Sequence, residues 1–332
     1  MKKTLAQKHF TVVPQKGLPK HLHQKIQRDL IKELIEIIKQ SELSLGIKLT
    51  PVINKIKLFR TNKIINPNLF GIYASLVRAT KNGDEGLLKD TIKNFVLLPD
   101  KNFFVKGFSI VSFDFNDYAD KEVYEYVFSP QGPRSKKGAL PRINSVGRDI
   151  LNNESIYINK AIGVLSKCTP GIFEEFREYV NSVSLFKGTV LVGITSMRSF
   201  GRIHLKIPGS KMTEVEKIAY YVEHLVHETS HLHLHGIMMY DPLILNKDDE
   251  RYPAPIRVDL RPMYGIYHAT FVLNRMKRVF EQWLKYSKEK PVEKYFKTFS
   301  WQLKNGIKTV GENGKFTSNG KILFETILTN SN

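Results

Sequence analysis

The sequence predicts a helix-dominated α+β protein: a helical N-terminal part, then a small sheet packed on a long helix, then a second long helix. Three observations predict it. Apolar residues recur at three- and four-residue spacing through much of the first half, the periodicity of amphipathic helices. Two β-like runs bounded by glycine, Thr189 to Ser196 and Arg202 to Ile207, stand past the middle. After Pro208-Gly209 an apolar stripe with a clear start signal marks the most regular helix of the chain. Helices segregated from a small sheet make an α+β arrangement rather than an alternating one.

In chain order, Ile26, Leu30, Ile31, Leu34, Ile35 and Ile38 set out a helix over Pro19 to Glu42. Leu69 to Ala79 and Asp84 to Leu98 are two more, the second opened by Asp84 after Gly83 and closed before Pro99. Phe103 to Phe115 is aromatic and β-branched enough for a core strand; a base-stacking platform would need a clustered basic groove as well. Ser129 to Arg142 is dense in Gly, Pro and charge and reads as a linker or mobile loop. Helices follow near Asn153 to Lys167 and Gly171 to Ser182, separated by Pro170.

Composition narrows the class. A chain of 332 residues passes the roughly 250–300 at which single cores stop growing, so one large or two small domains are expected, divided as 1–185 and 186–332. With 42% hydrophobic and 25% charged residues, disorder and coiled coil are excluded. One cysteine excludes a disulfide framework and any cysteine cage for zinc or iron–sulfur. No apolar stretch approaches the roughly 18 residues of a membrane span. The basic start lacks the apolar segment of a signal peptide, so a cytoplasmic protein without a membrane partner is expected. The formal net charge of +19 admits nucleic acid or an acidic partner, but the lysines are spread without a dense block, and nucleic acid is not the expected partner.

The chemistry concentrates on the helix after Pro208. Thr213 with Glu216 three residues on forms a capping box, and Val215, Ile218, Ala219, Val222, Leu225 and Val226 mark its buried stripe. On this helix stands His227-Glu228-Thr229-Ser230-His231. Two histidines four residues apart lie on one face about 6 Å apart along the axis, so both rings reach one metal at about 2 Å. Glu228 lies beside them, where a metallopeptidase keeps its general base. His224 and His235 are displaced along the axis and read as solvated or supporting groups; the third histidine of the metzincin extension is absent.

A third ligand must come from another element. His268, in Gly265-Ile266-Tyr267-His268-Ala269, and Glu281, in a basic stretch with Lys277 and Lys285, both lie on the next expected helix, Tyr264 to Tyr286. A helix salt bridge accounts for Glu281, so His268 is preferred. Between the helices runs Arg251-Tyr252-Pro253-Ala254-Pro255-Ile256-Arg257-Val258-Asp259-Leu260-Arg261-Pro262. Its arginines have the forked geometry that grips a carboxylate, whether that of a dicarboxylate ligand or that of Asp259.

These residues together resemble the HExxH-type peptide β-hydroxylases that depend on iron(II) and 2-oxoglutarate and act on ribosomally made precursor peptides. The resemblance rests on His227-Glu228-x-x-His231, Tyr252-x-Ala254-Pro255-x-Arg257-x-Asp259-x-Arg261-Pro262 and Gly265-x-x-His268. It spans roughly 192–283, with a weaker echo in Phe316-Thr317-Ser318-Asn319-Gly320 at the start of a final helix. It implies that His227, His231 and His268 hold iron(II), leaving open positions for the keto acid and dioxygen, as in facial-triad sites. It further implies that Arg261 or Arg257 binds the distal carboxylate, that Glu228 orients a neighbouring group, and that 186–332 is the catalytic region. The helical region 1–185 would recognise substrate or leader peptide, although nothing in it matches the family. The alternative is a zinc-dependent metallopeptidase with Glu228 as general base. A nucleic-acid-binding protein has only the charge in its favour.

Overall fold

The computed structural model describes residues 5–46, 48–57, 59, 63–129, 132–133 and 138–331. The basic start at 1–4 and part of the Gly- and Pro-rich stretch 129–142 lie outside these residues. Among the described residues the fold is the helix-dominated α+β class that the sequence predicts, with eleven α-helices and a five-stranded mixed sheet. In chain order these are α1 (Leu18–Leu45), α2 (Thr50–Lys57), α3 (Pro67–Asn82), α4 (Glu85–Leu97), β1 (Ser109–Ser112), α5 (Tyr118–Phe128), β2 (Arg142–Ser145), α6 (Arg148–Cys168) and α7 (Pro170–Tyr179). Then come β3 (Ser182–Thr189), β4 (Gly193–Ile194), β5 (Arg202–Lys206), α8 (Glu214–Met238), α9 (Met263–Leu284), α10 (Lys290–Asn313) and α11 (Ser318–Thr329). No helix among the described residues is long and apolar enough to cross a membrane.

The chain divides into two compact units, neither of them one continuous stretch. The first holds residues 5–19, 153–178 and 208–331; the second holds 20–152 and 179–207. The boundary expected near 185 falls inside β3, within the second unit.

The second unit carries the sheet. Its order is β1-β3-β5-β4, with β2 pairing the later half of β3. β3 is central: it pairs parallel with β1 and β5 and antiparallel with β2. Its polar Ser182 and Ser184 are as buried as Val183 and Leu185, because they face an ion network rather than water. At the heart of that network, Asp120 accepts from Arg202 and His204, each at 2.9 Å, and from Ser184 at 3.2 Å. Burial alone would raise the Asp120 carboxyl, but the His204 hydrogen bond and charge and the Arg202 guanidinium outweigh it and hold the group well below the usual range.

Of the expected strand from Phe103 to Phe115 only Ser109–Ser112 is a strand. The earlier phenylalanines serve a different part of the core, with Phe103 packed edge-on against Phe59 and stacked near Phe95. Gly83 caps α3 in the left-handed region at φ 67°, and Asp84 accepts from the Leu87 amide to open α4, as the sequence predicts.

The first unit is helical. α9 packs along α10 and against α8. A buried pair, Arg275 of α9 and Glu175 of α7, ties it together, and the Arg275 Nε also donates to the Val12 carbonyl at 3.3 Å. Behind the α8–α9 connection, Asp241 accepts from Thr317 at 2.6 Å and Asn319 at 2.8 Å. This docks the start of α11 so closely that a Cβ on Gly320 would stand 1.9 Å from the Leu243 carbonyl oxygen; only glycine fits there.

Candidate metal centre

The capping box expected at the start of α8 is present: the Glu216 amide donates to the Thr213 hydroxyl at 3.3 Å and the Thr213 amide to the Glu216 carboxylate at 2.8 Å. This fixes the helix start about four turns before His227. Nε2 of His227 and Nε2 of His231 lie 3.1 Å apart, with ring centroids 4.8 Å apart. His268 approaches from α9, its ring 5.8 Å from that of His231 and at 25° to it. His235 adjoins this set, 5.3 Å from His268 and 6.4 Å from His231. Of the two placements the sequence left open, solvated or supporting, the structure has the second. Four imidazoles thus stand in one chain of rings across α8 and α9.

The electrostatics suit neutral ligands. Burial, with the charge of His224, lowers His227 to about 3; burial, with the charge of His235, lowers His268 to about 3. Burial and the three neighbouring imidazoles push His231 well down, and burial also lowers His235. All four are neutral at pH 7, the form that offers a lone pair to a metal. Glu228 is buried, and burial raises its carboxyl to about 8. No lysine or arginine among the described residues pairs with it.

Two donors fit a metal as they stand. With bonds of about 2.1 Å, nitrogens 3.1 Å apart subtend roughly 95° at a shared ion. Rings on one ion keep their centroids within about 6.5 Å, so the 5.8 Å between His231 and His268 also suits a shared site. The His268 ring, however, is turned so that Nε2 meets the Met238 sulfur at 2.9 Å. Among the described residues no three His, Cys, Asp or Glu side chains stand in an arrangement that would hold a metal ion. The donor set fits in chemistry; His227 and His231 fit one ion in spacing, while His268 stands beside His231 with its Nε2 on the Met238 sulfur.

The remaining candidates have partners of their own. Arg261 pairs with Asp259 at 2.6 Å and Arg257 approaches the same carboxylate at 3.8 Å, both half-exposed. The backbones of Tyr252 and Arg261 exchange two 2.9 Å hydrogen bonds, so the strip is a pinned loop braced by its own ion pairs. Glu281 pairs with Lys277 at 3.4 Å on the same helix and stands apart from the histidines. His224 is buried, not solvated: its Nδ1 donates to the Tyr220 carbonyl at 2.7 Å. His233 faces the other way, buried, 3.7 Å from Glu175.

A cavity of about 540 Å³ opens in front of His227, bordered by Glu223, Ile256, Met276, Tyr295 and Phe299. Sequence reasoning missed two of its polar groups. Glu223 stands one turn before His227 and shares its face, a signal legible from spacing alone. Tyr295 comes from α10, whose place beside α8 no local pattern reveals. Neither a known family model nor a curated protein matches the chain.

Proposed function

We propose that the chain is an iron(II)- and 2-oxoglutarate-dependent oxygenase that hydroxylates a ribosomally made precursor peptide in the cytoplasm. The observation that carries this reading is the 3.1 Å separation of the His227 and His231 nitrogens on one face of α8, which lets both rings bind one ion, and iron rather than zinc is what the family resemblance implies. The third donor in reach, His268, is a neutral imidazole, as the family resemblance implies. When bound, iron with 2-oxoglutarate and dioxygen supplies the oxidation that places a hydroxyl on carbon and releases succinate and carbon dioxide.

The protein's own part is positioning. His227, His231 and His268 would hold the ion with neutral rings, and the cavity before His227 would take the peptide. In the metal-free chain Glu228 keeps its proton at neutral pH, so it is a hydrogen-bond donor able to orient a neighbouring group. Arg257 and Arg261 are offered to the keto acid only if they leave Asp259.

The second reading, a zinc peptidase, is favoured by the placement of Glu228 between the two histidines on a buried helix. The two separate in one assay. Iron is loaded without oxygen, then air, 2-oxoglutarate and the peptide encoded beside the gene are added. Succinate and a peptide heavier by one oxygen atom support the oxygenase; zinc-dependent cleavage without oxygen supports the peptidase.

A further inference from the structure

We propose that the cavity in front of His227 receives a lysine or arginine side chain of the peptide substrate, with its cation seated on the Glu223 carboxylate. The proposal rests on the preceding reading only for where the reacting carbon lies.

Among the described residues four buried carboxylates each face a lysine or arginine, whereas the buried Glu228 and the part-buried Glu223 do not, and of these two it is Glu223 that lines the cavity. Asp120 is paired with Arg202, Glu122 with Arg78, Glu154 with Lys217 and Glu175 with Arg275. A carboxylate withdrawn from water is costly unless a cation and hydrogen bonds compensate it. Glu223 has 22% of its side chain exposed, yet among the described residues no lysine or arginine lies within ion-pair distance of it. Cations are not scarce in a chain of 51 lysines and arginines. Among the described residues Glu223 receives the Tyr295 hydroxyl, and the imidazole nitrogen 3.7 Å away on His224 donates to the Tyr220 carbonyl. Burial raises its carboxyl to about 7, so an arriving cation would recover a penalty that the free protein carries.

The surroundings suit the stem of such a side chain. Met212, Ile256, Met276 and Phe299 wall the same cavity and would cover methylenes, while the polar tip reaches its partner. Exposed Lys290 and Lys294 also border it, and Glu216 is committed to its Thr213 cap. Spacing agrees as well. Glu223 and His227 are separated by one helical turn, about 6 Å along the axis, and an extended lysine spans about 5 Å from Cβ to Nζ. A residue whose β-carbon lies against His227 therefore reaches Glu223 with its terminal cation.

The test uses the full chain and four acetylated, amidated nine-residue Gly/Ser peptides that differ at the central position: lysine, arginine, norleucine or glutamate. Affinities are measured by titration calorimetry on the metal-free and iron-loaded protein. The lysine and arginine peptides should bind at least tenfold tighter than the norleucine peptide. Glu223→Gln should erase that difference without weakening norleucine, and Glu223→Lys should turn the preference toward glutamate. Equal binding of lysine and norleucine, a preference that survives Glu223→Gln, or no binding of any peptide overturns the proposal. A norleucine peptide with a free N-terminus that matches the acetylated lysine peptide would assign the site to an amino terminus and overturn it too. Preference in the metal-free protein stands even if iron loading and succinate formation fail, so the two readings fall separately.

Discussion

The Nε2 atoms of His227 and His231 face each other at 3.1 Å, inside a site where burial and the neighbouring rings keep both imidazoles neutral. Like-charged rings could not share that space, so the pair is poised for one cation rather than two protons. Because His227 and His268 lose their protons already near pH 3, protons compete poorly with a metal at ordinary pH. The apparent dissociation constant for cobalt(II), followed by its visible absorption, should change less than about threefold between pH 7.5 and 5.5. Solvated histidines of ordinary pKa would weaken roughly tenfold per pH unit per ligand below about 6.5.

The same depressed values make the metal-free fold acid-sensitive. A histidine with a folded pKa near 3 and an unfolded value near 6.5 takes up fewer protons folded than unfolded between those limits. Its stabilising effect is complete above pH 6.5 and is lost as pH falls, at up to about 1.4 kcal/mol per unit per group. Urea midpoints of metal-free protein should fall steeply from pH 7 to 5, and His268→Asn should flatten the slope by about one proton. An unchanged slope in that variant would contradict the assignment.

Glu228 acts with the opposite sign. Its folded pKa of about 8 lies above the unfolded value of 4.5, so its contribution is favourable below 4.5 and is lost as pH rises through 8. Metal-free Glu228→Gln should be more stable than the parent at pH 8, by up to a few kcal/mol, and the gap should close near pH 5. In activity the same substitution should abolish a peptidase, whereas an oxygenase should keep measurable succinate formation.

Arg275 and Glu175 are both almost fully buried, and Arg275 also holds the Val12 carbonyl. Arg275→Met strands the Glu175 carboxylate and should cost about 3–5 kcal/mol in chemical denaturation. Adding Glu175→Gln should recover part of that loss. A single variant within about 0.5 kcal/mol of the parent would show that water already reaches the pair.

The third ligand is tested by contrast. His268→Ala should lower cobalt or iron affinity at least 100-fold, beyond the usual effect of losing a supporting group. Glu281→Ala should leave it unchanged, because Glu281 pairs with Lys277 on the helix surface.

Local signals made much of this legible in the sequence. The cap at Thr213 and the Gly83–Asp84 helix junction follow from side chains acting within a few residues, and the helix bearing His268 was expected from the stretch Tyr264 to Tyr286. What escaped is nonlocal. β3 mixes Ser182, Val183, Ser184 and Leu185, and its serines are buried only because Asp120, 64 residues from Ser184, brings a charge network to them. α10 gave no sign that Tyr295 would meet Glu223, since that contact depends on helix packing. For the strip arginines the sequence left a ligand carboxylate and Asp259 both open, and Asp259 pairs with Arg261 and draws Arg257 to 3.8 Å.

The central claim is that three imidazoles from α8 and α9 close on one iron. X-ray absorption at the iron edge of anaerobically loaded protein counts imidazole ligands directly from their multiple-scattering pattern. The account predicts three in the parent and two in His268→Ala, with the remaining positions filled by oxygen donors. Two in the parent, or a chain that retains no iron after gel filtration, would contradict it.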